Sequence, residues 1–92
     1  MTIRIAIDSA FVAGARKLPP DRRKGAMAAL DKFQREPKLP SLRFRALQGA
    51  DSYFIINCAH GDRVILRKES DDLFTAVDVG PHDNVYRRWN RT

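Results

Sequence analysis

A chain of 92 residues supplies one domain and too little for two, and 43% hydrophobic with 30% charged residues is the balance of a folded globule, not of a disordered segment. Seventeen Lys+Arg against eleven Asp+Glu give a formal charge of +6, with arginine outnumbering lysine; the guanidinium fork grips phosphate through paired hydrogen bonds, so the surplus points to a polyanion, a solvated charged surface being the alternative. The single cysteine, Cys58, excludes an intramolecular disulfide and suits a reducing cytosol, and no run approaches the ~20 apolar residues of a membrane helix, so a cytoplasmic protein without a membrane partner is expected.

Thr2 to Ile7 alternates, with Ile3, Ile5 and Ile7 on one side, and reads as a first strand. Asp8 and Ser9 are good helix N-caps, and Phe11, Val12, Ala15 and Leu18 follow at helical spacing until Pro19-Pro20 stops them. A second helix is predicted over Asp21–Arg35. Ala26, Met27, Leu30 and Phe33 form its apolar stripe, Arg22, Arg23, Lys32 and Arg35 lie largely away from it, and Glu36-Pro37 ends it. From Leu42 the period becomes two: Leu42, Phe44 and Ala46 point one way, Arg43 and Arg45 the other. Further strands over Tyr53–Ala59, Arg63–Glu69 and Leu73–Val79 are separated by short turns, which makes an antiparallel meander. Gly80-Pro81 ends the last strand, and His82–Arg91 reads as a helix with Val85 and Trp89 at i,i+4. The fold class is α+β, in the order β-α-α-β-β-β-β-α, as a single domain over 1–92. A helical hairpin packs on one face of a mostly antiparallel sheet, and a short C-terminal helix follows.

This architecture leaves the second sheet face open. Val64 and Leu66 point to one side of their strand and Arg63 and Arg67 to the other, so guanidinium groups collect on the open face. They bind an anion there or pair with Asp62, Glu69 or Asp78 as solvated salt bridges.

Leu47-Gln48-Gly49, Gly61-Asp62-Arg63-Val64-Ile65 and Val79-Gly80 through Val85-Tyr86, in that order and spacing, resemble the RelE/ParE toxin superfamily of bacterial toxin–antitoxin modules. The resemblance spans nearly the whole chain, and the ending His82-Asp83-x-x-Tyr86 is most similar to a subgroup with that signature. It implies a ribosome-associated endoribonuclease that cuts mRNA in the A site and is neutralised by a cognate antitoxin wrapped around it. It also implies active residues on the open sheet face and at the start of the last helix. His82 falls where many members carry a catalytic Arg or His, Tyr86 matches the terminal Tyr, and Arg63 matches the arginine of the Gly-x-Arg strand. Members often end the preceding strand with a functional arginine; here Asn57 and Cys58 stand there.

Cleaving RNA through its own 2′-hydroxyl needs a group to take the 2′ proton, a group to protonate the leaving 5′ oxygen, and cations for the phosphorane charge. Histidine, with an ordinary pKa near ~6.5, suits proton transfer near neutrality. His82 and Tyr86, four apart, project to one side of a helix. His82 is therefore the candidate proton-transfer residue and Arg63 or Arg67 the phosphate clamp. A phenol is a poor base with an ordinary pKa near ~10, so Tyr86 orients or stacks a base. Arg43, Arg45, Arg67, Lys68 and Arg87 are the candidate RNA contacts. Arg88 reads as a further RNA contact or, like Arg91 beside the C-terminus, as part of a solvated basic fringe, and Trp89 as an anchor for the last helix. His60 and His82 with one cysteine give no metal-ligand spacing, so no metal or other cofactor is expected. Two other functions fit the same residues: a non-enzymatic ParE-like gyrase-inhibiting toxin, and a catalytically degenerate domain that binds RNA or a partner. An open basic face with exposed edges also suits an acidic, partly disordered antitoxin segment.

Overall fold

In the computed structural model, which describes residues 2–89, a short strand β1 (Arg4–Ile7) leads into helices α1 (Ser9–Arg16) and α2 (Pro20–Arg35). Strands β2 (Arg45–Ala46), β3 (Tyr53–Asn57), β4 (Asp62–Ser70) and β5 (Leu73–Pro81) follow, and α3 (His82–Trp89) closes the chain of elements. The five strands lie in the order β1-β5-β4-β3-β2. The last four form the expected antiparallel meander, and β1 adds in parallel to β5 with Arg4 opposite Leu73.

Local chemistry explains the helix ends. The Asp8 carboxylate accepts from the Ala10 amide at 3.1 Å and starts α1. Pro20 occupies the first turn of α2, where its missing N–H costs nothing. Glu36, the residue before Pro37, leaves the helical region at φ −140°. Helix α1 rides close on β5: a Cβ at Gly14 would sit 2.7 Å from the Val79 carbonyl oxygen, so only glycine fits. The α1–α2 hairpin covers one face of the sheet. Phe11, Leu30, Phe33, Ile56, Val64, Leu66, Phe74 and Val79 bury there, each side chain contributing about 1.5–3 kcal/mol of transfer free energy. The rings of Phe33, Phe44, Phe54 and Phe74 stack and edge onto one another at centroid separations of 4.8–6.0 Å.

One ion pair ties the hairpin to the sheet. Arg22 donates through Nε (3.0 Å) and Nη2 (2.6 Å) to Asp62, which is wholly buried at the start of β4. That hydrogen bond raises the pKa of the Arg22 guanidinium. Removing Arg22 would leave the Asp62 carboxylate buried without a compensating charge.

Three expectations are corrected. The strand beginning at Leu42 is a 3₁₀ turn over Pro40–Leu42 instead, and Arg43 follows in the left-handed region at φ 49°. The two prolines at 37 and 40 prevent an extended ladder, so only Arg45–Ala46 pairs with β3. Strand β3 stops at Asn57, and a tight turn over Ala59–Gly61 holds His60 and Gly61 at positive φ. Nor is the second sheet face open throughout. Helix α3 folds back over it, and Val85 buries completely among Leu47, Ile55, Ile65 and Val77. The continuous apolar runs Val64-Ile65-Leu66 and Ala76-Val77 are the mark of strands covered on both sides. The register slips between Ile65 and Leu66, which face Asp78 and Ala76 and leave Val77 as an extra residue. This bulge lets both Val77 and Asp78 serve the α3 side.

Candidate active site

The residues the sequence singles out gather at the β2 end of the sheet and the start of α3. Asn57, Arg63 and Gly80 stand side by side across β3, β4 and β5. From β2, opposite Ile55, the Arg45 guanidinium reaches three partners. Its Nη1 donates to the Arg43 carbonyl and, at 3.0 Å, to Asn57 Oδ1, while Nη2 donates to the Tyr86 hydroxyl at 3.1 Å. The His82 ring lies against Tyr86 with centroids 4.4 Å apart. Half-exposed, His82 has Nδ1 3.0 Å from the Asp83 carboxylate, which leaves Nε2 towards solvent. Arg45, Ala46, Leu47, Gln48, Ile55 and Tyr86 enclose a cavity of about 340 Å³ beside this chain of groups.

Arg63 belongs to the same end of the sheet and is only partly spent. Its Nη1 donates to the Asp62 carbonyl at 3.1 Å, but its Nε is buried with no acceptor within reach. A buried donor left without a partner costs about 1–3 kcal/mol. Beneath the site, Cys58 is no nucleophile: burial first, and then the neighbouring Asp62 charge, push its thiol up to about 12 despite the opposing pull of Arg63.

Other singled-out residues stand apart. Arg67 is four residues along β4 from Arg63, roughly 13 Å at strand rise. It is bound to Glu69 at 2.8 Å, and the Glu69 and Tyr53 hydrogen bonds raise its pKa. Lys68 alternates onto the hairpin side with Leu66 and reaches Asp71 at 3.4 Å. Arg43 is exposed, contributing its carbonyl to Arg45 while its side chain borders a groove with Lys38 and Phe44. Arg87 is exposed on α3. Arg88 is not a solvated fringe: its Nε and Nη2 clasp Asp78 at 2.8 and 3.1 Å, and the Trp89 indole donates to the same carboxylate at 2.7 Å. Trp89 also packs against Tyr53 with centroids 5.2 Å apart. Arg91 lies outside the described residues.

Two residues take roles that the sequence reading did not assign to them. Asn57, noted only as a missing arginine, accepts from Arg45 and fixes where its charge sits. Asp78 pins α3 to β5, and an aspartate inside an otherwise apolar strand was the available signal, since such a carboxylate needs a cationic partner.

No family model and no curated protein matches the sequence. Solved structures do. The free E. coli toxin RelE, as a double arginine-to-alanine mutant, superposes with a TM-score of 0.72 over 97% of this chain and 95% of that one, at 18% identity. In the RelB–RelE antitoxin–toxin complex from Methanococcus jannaschii the TM-score is 0.70, covering 91% and 98% at 16% identity. The RelE–RelB complex from Pyrococcus horikoshii gives 0.65 over 88% and 96% at 20% identity. From its strand order through its terminal helix, the chain has a RelE-like toxin fold.

Proposed function

We propose that the chain is the toxin of a type II toxin–antitoxin module and acts in the cytoplasm as a ribosome-dependent, metal-independent mRNA endonuclease that inhibits translation. The observation that carries this is the joined group at one end of the sheet: Arg45 bonded to Tyr86 and to Asn57, Tyr86 tilted against His82, and Arg63 directly across from Asn57. Solved neighbours of the same fold are RelE toxins, several of them held by RelB antitoxins, and this supports a cognate antitoxin as partner; ribosome and mRNA as targets belong to the proposal and rest on the site's residues.

In this mechanism Tyr86 stacks a base at the mouth of the cavity and Arg45 keeps its hydroxyl in place. His82, steadied at Nδ1 by Asp83, takes the 2′ proton through Nε2. Arg63 meets the negative charge as the 2′ oxygen bonds to phosphorus, and the bond to the 5′ oxygen breaks as that oxygen takes a proton from water. The products are a 2′,3′-cyclic phosphate and a 5′-hydroxyl end.

The test is induction in cells followed by primer extension on a reporter mRNA. Wild type should arrest growth and leave codon-linked breaks, and His82→Ala should lower cleavage on programmed ribosomes by about 10²–10⁴-fold. Full cleavage by His82→Ala removes the assignment. Arrest with a DNA-damage response and intact mRNA would instead identify a gyrase poison, and no arrest a binding domain without catalysis.

A further inference from the structure

A second cavity lies on the far side of α3 from His82 and Tyr86. Its volume is about 430 Å³, and α1, the end of β5 and the outer stripe of α3 enclose it. Two features set it apart from an ordinary surface groove. Its floor is made of Ala10, Ala13, Gly14 and Gly80. A Cβ at Gly14 would strike the Val79 carbonyl at 2.7 Å, and one at Gly80 would crowd Arg88 Nη2 at 3.3 Å. Glycine at 14 lets α1 close onto β5, and glycine at 80 lets the Arg88 guanidinium lie over the strand.

Its rim carries Lys17, Arg22 and Arg88. Each arginine turns its Nε and Nη2 to a carboxylate: Arg22 to Asp62, Arg88 to Asp78. Of the five guanidinium donors, those on Nη1 and the second hydrogen of Nη2 are not needed for these pairs. The carboxylates thus hold both forks in fixed orientations and leave donors on their outer edges. Lys17, exposed at the C-cap of α1, supplies a further charge, and the Asn84 amide stands on the α3 wall. The Asp78 carboxylate also lines the groove but is taken up by Arg88, so fixed forks, an ammonium and an amide around a floor of small residues suit a tetrahedral oxyanion.

We propose that this groove binds a backbone phosphate of the same RNA strand, outside the scissile linkage. Identifying the anion as a phosphodiester rests on the RNA-cleaving role proposed above. Asn84 and Arg88 form the stripe of α3 that lines the groove beside Pro81 at the end of β5, while His82 and Tyr86 lie on the opposite side of the helix at helical spacing. A helix is about 10 Å across, so a strand crossing its first turn reaches both places within a few nucleotides. The groove serves as a register clamp on RNA flanking the cut.

The experiment uses the full chain and two probes. Inorganic phosphate, titrated against ¹⁵N-labelled protein, should saturably shift the Arg22 and Arg88 Nε–H signals and the Asn84 side-chain amide. Lys17→Gln, which leaves both ion pairs intact, should weaken that titration. The same variant should bind a 2′-O-methylated oligoribonucleotide several-fold more weakly, with the salt dependence of log K reduced by about 0.7. Shifts spread evenly over surface arginines, or an unchanged oligonucleotide affinity and salt slope in Lys17→Gln, would overturn the proposal. So would occupancy of the groove by a Glu-rich peptide that leaves oligonucleotide binding untouched. The two proposals fail separately. If His82→Ala abolishes cleavage while Lys17→Gln binds RNA normally, the groove assignment alone is lost. If His82→Ala cleaves fully while Lys17→Gln binds RNA weakly, the groove stands and the catalytic site falls.

Discussion

On the hairpin side of the sheet, Phe11, Phe33, Ile56, Val64, Leu66 and Phe74 fill the space between two helices and five strands with apolar atoms, closed at one end by the Arg22–Asp62 pair. On the α3 side, a small cluster around Val85 fills the middle, and polar groups hold both ends: Arg45, Asn57 and Tyr86 at one, Asp78 with Arg88 and Trp89 at the other. Stability is concentrated on the first face, where packing is dense and non-directional. The second face carries the candidate chemistry, and its helix stays in place through a few directed bonds. Elements held in that manner sit at the low end of a protein's local stability scale, where binding surfaces are drawn from.

The largest effect that tests this contrast is a cavity in the hairpin core. Phe33→Ala should destabilise the whole domain by about 3–5 kcal/mol, read as a shift of the urea midpoint with all probes moving together. A loss below ~1 kcal/mol would mean that this face is not where the stability resides. Next comes Asp78→Asn, which strips the charge from three directed bonds, each worth about 1.5–3 kcal/mol when a charged group takes part. Amides of α3 should exchange roughly 10–100-fold faster while those of α2 keep their protection; equal acceleration in both helices would show the two faces to be one cooperative unit. The smallest effect concerns Glu69, which the Thr75 hydroxyl, and then Arg67, hold below the usual carboxylate range. A lowered folded-state pKa contributes stability that is complete above the unfolded value near ~4.3 and disappears as pH falls through the folded one. Glu69→Gln should therefore flatten the acid limb of a stability profile measured between about pH 3 and 6. A profile identical to wild type would show that this carboxylate has no part in acid sensitivity.

The sequence disclosed the element order because its punctuation is physical. Pro19-Pro20 and Glu36-Pro37 bracket α2, and the change of period at Leu42 announces the meander, whose pairing begins at Arg45. It also pointed to Arg45, Arg63, His82 and Tyr86, which the fold brings to one end of the sheet. What it hid was long-range. Alternation assigns Ile65 to the same side as Arg63 and Arg67, yet nothing local says that α3 will return to cover Ile65. The Arg88–Asp78 clasp joins residues ten apart through a bulge at Val77, a one-residue insertion that periodicity smooths over. Arg43, read as a strand residue, takes a left-handed conformation because the prolines before it forbid pairing.

The parallel pairing of Arg4–Ile7 with Leu73–Ala76 has a consequence for biosynthesis. Strand β1 is made before β5 and must wait for it before its backbone amides find their partners in the sheet. Until then the helical hairpin has no sheet to lie on, and its apolar stripe faces solvent or a chaperone. Loop closure over some seventy residues makes assembly of that edge slow and late. Translation that halts before β5 emerges leaves a fragment with neither a finished sheet nor the helix that follows it, so the completed molecule arises in a single closing step.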